Sequence, residues 1–268
     1  MVGVILIAVA TSGPLVSRAH EAEEAFAEAV RQRDDADKAR PLFRKSADLF
    51  EELRRAGAAN PALFRDEGNA RLLAGDLPGA ILAYRRGLRL APDDRALQRL
   101  LAAAREQVVY KQSGAFGRPP VSLLPPWLPR LPARGVLLLA CAAYAFGWVS
   151  LARWRMVRRG KWLTAALASF AVAALLGLAL GAGEARERDL DARPLAVVAQ
   201  DGVLLRKGNG LAYPRRYETP LNRGVEARLL FERGDWVLIE LSGGETGWVP
   251  RAYVLIDRAP TGGSANRR

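Results

Sequence analysis

The chain has 268 residues, half of them apolar, and carries 40 Lys and Arg against 28 Asp and Glu, a formal net charge of +12. The excess is local: Glu106 is the last acid before Glu184, and nine cations from Lys111 to Lys161 lie between them around two apolar runs. This argues against a phosphate-binding face for nucleic acid and for a membrane topology signal. A single cysteine, Cys141, and a single histidine, His20, exclude an intramolecular disulfide and any metal centre built from several such ligands.

In chain order, residues 1–19 begin with the short apolar run Met1 to Ala10 and end on Ser17-Arg18-Ala19, with small residues at the minus-three and minus-one positions of a cleavage site. They predict a secretory signal peptide or, because no cation precedes the run, an uncleaved N-terminal anchor. Residues 20–112 carry helical periodicity. One stripe runs through Ala22, Ala25, Phe26, Ala29 and Val30, and a second through Leu42, Phe43, Ala47, Phe50 and Leu53, ending at Gly57. From Pro61 to Pro92 the residues Gly68, Ala80, Tyr84 and Pro92 stand at the spacing of a tetratricopeptide repeat, which this stretch resembles. The resemblance implies that Gly68 and Ala80 mark a helix crossing and that Tyr84 fills the gap toward the next helix. The preceding two helices form a degenerate copy, and a helix from Asp94 to about Tyr110 caps the stack. Arg65 and Asn69 are four apart and share one helix face. In such repeats that face lines the concave groove, where a cation and an amide suggest a clamp for a peptide's terminal carboxylate; a surface arginine beside a packing asparagine is the plainer alternative.

Residues 113–134 form a proline-rich linker that no regular helix accommodates. Residues 135–152 and 162–183 are uncharged, and each is long enough to cross a hydrocarbon core of about 30 Å. The loop 153–161 between them holds Arg153, Arg155, Arg158, Arg159 and Lys161, with Trp154 and Trp162 among them. The positive-inside rule assigns that loop to the cytoplasm. The flanking domains then lie on the outer face of a bacterial inner membrane. Small-residue ridges, Ala143 with Gly147 and Ala173 with Gly177 and Gly181, offer close helix packing.

After a charged linker, 184–193, the periodicity changes. Residues 194–258 read as short strands with turns at Arg233-Gly234-Asp235 and Gly243-Gly244, followed by a tail, 259–268. Gly208, Gly210, Tyr213-Pro214, Gly224, Trp236, Gly247-Trp248-Val249 and Tyr253-Val254 resemble the landmarks of a bacterial SH3 domain. The expected core tryptophan is Trp236; Tyr213, Trp248 and Tyr253 are expected to line a surface groove. The fold class is therefore a multidomain membrane protein: all-α tetratricopeptide-type repeats, two transmembrane helices and a C-terminal all-β SH3-like barrel.

The whole order is similar to that of the BatE-type proteins of bacterial aerotolerance operons. The resemblance implies a membrane-anchored envelope scaffold whose partners are von Willebrand A-type membrane proteins and a MoxR-type ATPase. The alternative is a cell-wall module that binds peptidoglycan through its SH3 domain. No enzyme is expected, nor any cofactor or metal. His20 adjoins the cleavage site, Cys141 lies in an apolar span, and Gly208-Asn209-Gly210 lacks the helix and Lys-Ser/Thr of a phosphate loop.

Overall fold

The protein is described by a computed structural model over residues 13–110, 116–117 and 133–257. The first twelve residues of the expected leader, most of the proline-rich linker and the tail lie outside the described residues. Two compact units result: one joins the N-terminal helices to the C-terminal strands, and the other is a helical hairpin.

In the first unit the helices begin and end where local chemistry requires. α1 is Gly13–Arg31, α2 Ala36–Arg55, α3 Pro61–Leu73, α4 Leu77–Leu90 and α5 Arg95–Glu106. Asp35, Asn60, Asp76 and Asp94 cap the last four, each accepting from a backbone N–H in the first turn. Pro61 and Pro78 occupy first-turn positions, where a missing N–H costs nothing. Gly57 and Gly75 follow α2 and α3 with φ of +94° and +87°, the left-handed conformation that favours glycine. α1 runs through the expected cleavage site, and Leu15 and Ala19 rest on the core formed by Phe50, Leu53 and Leu63.

Pairing of the helices rests on close approach. A Cβ at Gly68 would collide with the Tyr84 ring, so α3 and α4 cross where the sequence supplies no side chain. Tyr84 itself is fully buried and packs back on α3. The Ser46 hydroxyl donates to the Ala22 carbonyl at 2.9 Å and ties α2 to α1. Arg71 reaches Glu51 at 2.7 Å, Glu67 at 2.9 Å and Asp76 at 2.9 Å, linking α2, α3 and the cap of α4.

The strands are β1 (Leu195–Val198), β2 (Glu226–Arg233), β3 (Trp236–Leu241), β4 (Thr246–Pro250) and β5 (Val254–Ile256), with a 3₁₀ turn at Arg251–Tyr253. They form one antiparallel sheet in the order β4-β3-β2-β1-β5. Val237, Ile239 and Leu241 of β3 face the core, as do Ala227 and Leu229 of β2 and Val249 of β4.

Sheet and helices share that core. Leu77, Ile81, Tyr84 and Leu97 belong to one cluster with Val197, Val225, Ile239 and Ile256. Gly224, at φ +88°, lets the loop before β2 press against α4 and α5; a Cβ there would meet Val108 and Ile81. Polar pairs frame the contact. Glu226 accepts from Arg105 at 2.6 and 2.9 Å and lies 3.4 Å from Arg85. Asp257 accepts from Arg86 at 2.7 Å and Arg89 at 3.1 Å. Asn222 donates to the Val109 carbonyl at 2.6 Å. In all five carboxylate contacts the acid comes from the strand region and the arginine from the helices. Phe116, within the linker, stacks edge-on against Tyr217 at 5.4 Å.

The second unit contains α6 (Ala133–Val157) and α7 (Gly160–Ala192). The stretches 134–157 and 160–182 are long and apolar enough to cross a membrane, and only 11% and 6% of their most apolar windows are buried. Leu138, Leu178 and Leu175 are mostly exposed. Such a surface is costly in water and suits hydrocarbon. Both helices outrun the expected spans. α7 absorbs the charged linker, because Glu, Ala and Arg are strong helix formers. The nine-residue loop shrinks to Arg158 and Arg159. Gly147 packs under Phe170, which also meets Tyr144 and Trp148 edge-on, whereas Gly177 and Gly181 face open space.

Candidate functional site

The outer face of the sheet carries the exposed ring of Phe231 and the half-buried rings of Trp236 and Trp248. Alternation along β3 puts Val237 and Ile239 inside, so Trp236 and Leu238 lie on the opposite, half-buried face. This corrects the expected core role of Trp236. The strand period fixes that Trp236 and Leu238 share a face, but both faces carry large apolar residues and the core took the β-branched one. Leu238 stands opposite Trp248 on β4 and opposite Phe231 on β2, and the Phe231 and Trp248 rings meet edge-on at 6.3 Å.

Phe231 reaches this face through a β-bulge. Leu229 pairs with Ile239, yet Phe231 pairs with Leu238, leaving Leu230 as the extra residue. Without the bulge Phe231 would follow Ala227 and Leu229 inward; with it, the ring turns outward and is 58% exposed. Bulges re-aim side chains in this way beside binding sites. Sequence reasoning missed Phe231, although the unbroken run Leu229-Leu230-Phe231 interrupts the alternation and was the signal for it.

Tyr213 comes to the same edge from the loop before β2. Arg206 exchanges backbone hydrogen bonds with Trp248, and its guanidinium donates to the carbonyls of Leu211 and Tyr213 at 3.0 and 2.8 Å. The Tyr213 ring covers Gly208, where any Cβ would strike it. Tyr213 is 49% and Leu211 74% exposed. Tyr253, in the 3₁₀ turn, is also exposed but makes no ring contact with the Phe231–Trp248 pair. The structure thus joins Phe231 to Trp248, ties the Tyr213 backbone to Trp248 through Arg206, and among the described residues gives neither Tyr213 nor Tyr253 a ring contact with that pair.

The α3 face is different. The Asn69 amide oxygen accepts from the Tyr84 hydroxyl at 2.9 Å, and Arg65 donates to Asp66 at 3.0 Å. Both members of the expected clamp therefore hold neighbours within the helical hairpin. Burial pushes the Asp66 carboxyl above its ordinary range, against the pull of the Arg65 hydrogen bond.

Arg153 and Arg155 lie in the last turns of α6, Arg158 and Arg159 form the turn, and Lys161 is in the first turn of α7. The described residues contain no group of three or more His, Cys, Asp or Glu able to hold a metal ion.

Compared with known proteins, no family model matches the chain, and no solved structure matches it. A curated relative, the "Putative N-acetylmuramoyl-L-alanine amidase YrvJ" of Bacillus subtilis strain 168, is 44% identical over 54 residues. That match covers 20% of this chain and 10% of the relative.

Proposed function

We propose that the chain is a membrane-anchored envelope protein whose C-terminal sheet domain is an SH3-type module that binds the peptide part of the cell wall. The observation that carries this is the outward Phe231–Trp248 pair, set there by a bulge, with the Tyr213 loop tied to Trp248 through Arg206. Exposed rings on a rigid sheet give large contact area with little entropy lost on binding. The short stretch shared with a protein whose printed name is that of a cell-wall amidase supports the same ligand class; its 54 residues suit the size of the sheet domain. The role is binding rather than catalysis.

In this reading α6 and α7 cross the inner membrane, with the basic turn on the cytoplasmic side and the domains at both ends on the outer face. The helical hairpins are tetratricopeptide-type repeats that carry the module. A scaffold for von Willebrand A-type proteins and a MoxR-type ATPase stays a second proposal, resting on the repeat-like Gly68–Tyr84 crossing. The test is co-sedimentation of the full chain, in detergent, with purified peptidoglycan. The wild type is expected in the pellet and Trp248→Ala in the supernatant; equal recovery of both would remove the aromatic face from the function.

A further inference from the structure

The turn of the membrane hairpin has a construction that a topology signal does not require. Five cations lie between Arg153 and Lys161 with no acid among them, and none of the five is in an ion pair with a described residue. Two of the arginines are seated. The Arg153 guanidinium lies 5.3 Å from the Trp162 ring centre, and that of Arg158 lies 5.7 Å from the Trp154 ring centre. Each pair has one ring and one cation, and the Arg153–Trp162 pair bridges α6 and α7.

Arg158 also carries backbone strain. It ends α6 with φ +52°, where its N–H bonds the Trp154 carbonyl at 2.8 Å. It is the one described non-glycine residue at positive φ. Glycine would adopt that conformation without the steric penalty that a Cβ brings. A side chain kept at that position, with its guanidinium over an indole, points to a role for its charge.

We propose that the hairpin turn is a binding site for the phosphate headgroup of an anionic phospholipid, with Arg153 and Arg158 as its positioned donors. Tryptophan rings at an interface sit at headgroup depth. A guanidinium stacked on a ring keeps its N–H edge free for two phosphate oxygens. Arg155, Arg159 and Lys161 add attraction without being held.

The site rests on the hairpin's crossing a bilayer, and the test separates the two. The full chain is reconstituted in nanodiscs of phosphatidylcholine with a minor share of phosphatidylglycerol, and lipid retained per chain is read by native mass spectrometry. The wild type is expected to enrich phosphatidylglycerol severalfold. Arg153→Gln with Arg158→Gln should abolish that enrichment; Arg155→Gln with Arg159→Gln, which removes the same charge, should lower it about threefold or less. Trp154→Leu with Trp162→Leu keeps every cation and should also abolish it, so the result does not depend on one variant inserting. Equal losses in the two arginine pairs, or no enrichment in the wild type, would overturn the site. Inorganic phosphate that competes fully at millimolar concentration would show a soluble anion site and overturn the lipid assignment. Release of the chain from membranes by alkaline carbonate would overturn the membrane reading and the site together, whereas a retained chain without lipid preference overturns the site alone.

Discussion

The outer face of the sheet and the Arg65–Asn69 face of α3 both carry side chains suited to binding, but they differ in what those side chains already hold. On α3, Asn69 receives the Tyr84 hydroxyl and Arg65 is on Asp66. The Arg65 contact uses its Nε, and a ligand that took the Asn69 oxygen from Tyr84 would leave a buried tyrosine hydroxyl without a partner. On the sheet, Phe231 and Tyr213 present about half of their surface to solvent; Phe231 meets the Trp248 ring edge-on and Tyr213 covers Gly208. Covering that surface gains roughly 25 cal/mol per Å² of apolar area, offset by the ordering cost of association but by no broken hydrogen bond. A polar residue in a recognisable position is thus weaker evidence for a site than an aromatic residue the fold has turned outward.

The comparison breaks most completely at the junction that both faces share. Glu226 is buried between Arg105 and Arg85 at the joint core of helices and sheet. Glu226→Ala would leave those arginines facing each other without their carboxylate. The expected cost is about 3 kcal/mol in denaturant unfolding of the full chain, with loss of protection in both the helices and the strands. A change below about 1 kcal/mol would mean the pair behaves as a surface ion pair and the two regions are only loosely joined.

Next comes the sheet face itself. Trp248→Ala is expected to weaken retention on purified peptidoglycan about ten- to a hundredfold, the range of an aromatic anchor at the centre of an interface. Trp236→Ala should weaken it less, since Trp236 stands opposite Pro250 at the end of the face. If Trp236→Ala abolishes retention while Trp248→Ala spares it, the centre of the face has been assigned to the wrong strand.

A smaller and opposite pattern is expected on α3. Asn69→Ala removes the acceptor for Tyr84 and should cost about 1–2 kcal/mol of stability, leaving wall retention unchanged. Loss of retention at full stability would instead make Asn69 a ligand group.

The smallest effect is a slope with pH. The Asp66 carboxyl is raised by burial, so its contribution to stability is fully present below the ordinary carboxylate range. It is lost as pH rises through the raised folded value. Asp66→Asn should therefore flatten the acid end of the stability profile, and Arg65→Ala should move the loss to higher pH. An unchanged profile in Asp66→Asn would show that Asp66 is not the group titrating there.

Much of the fold is legible in the chain. Asn60-Pro61 and Asp76-Leu77-Pro78 announce helix starts, Gly57 and Gly75 announce ends, and Gly68 announces a crossing, although the side chain that packs on it is Tyr84, expected instead in the gap toward the next helix. The turns at Gly234 and Gly244 also fall where expected. The joint core is not legible, because Glu226 and Arg105 are 121 residues apart and Asp257 and Arg86 are 171 apart, and nothing local distinguishes these residues from solvated charges. The basic loop is shorter than its charges suggest because a cation does not stop a helix: Arg153 and Arg155 extend α6. The site was half legible. Tyr213 and Trp248 follow from turn and strand landmarks, but period two says which residues share a face and not which face is buried. Period two therefore does not exclude Trp236 from the core, and the bulge that exposes Phe231 depends on a register set by β3.

If the outer sheet face is the ligand face, its indoles must respond to a cell-wall peptide. The six tryptophans of the full chain give six indole N–H resonances, observed in nanodiscs while a soluble cross-linked peptidoglycan peptide is added. The Trp248 indole is expected to shift in a saturable way, Trp236 to a lesser extent, and Trp154 and Trp162 in the hairpin not at all. Saturable binding that leaves Trp248 unmoved would contradict the account, as would the absence of any shift at millimolar peptide.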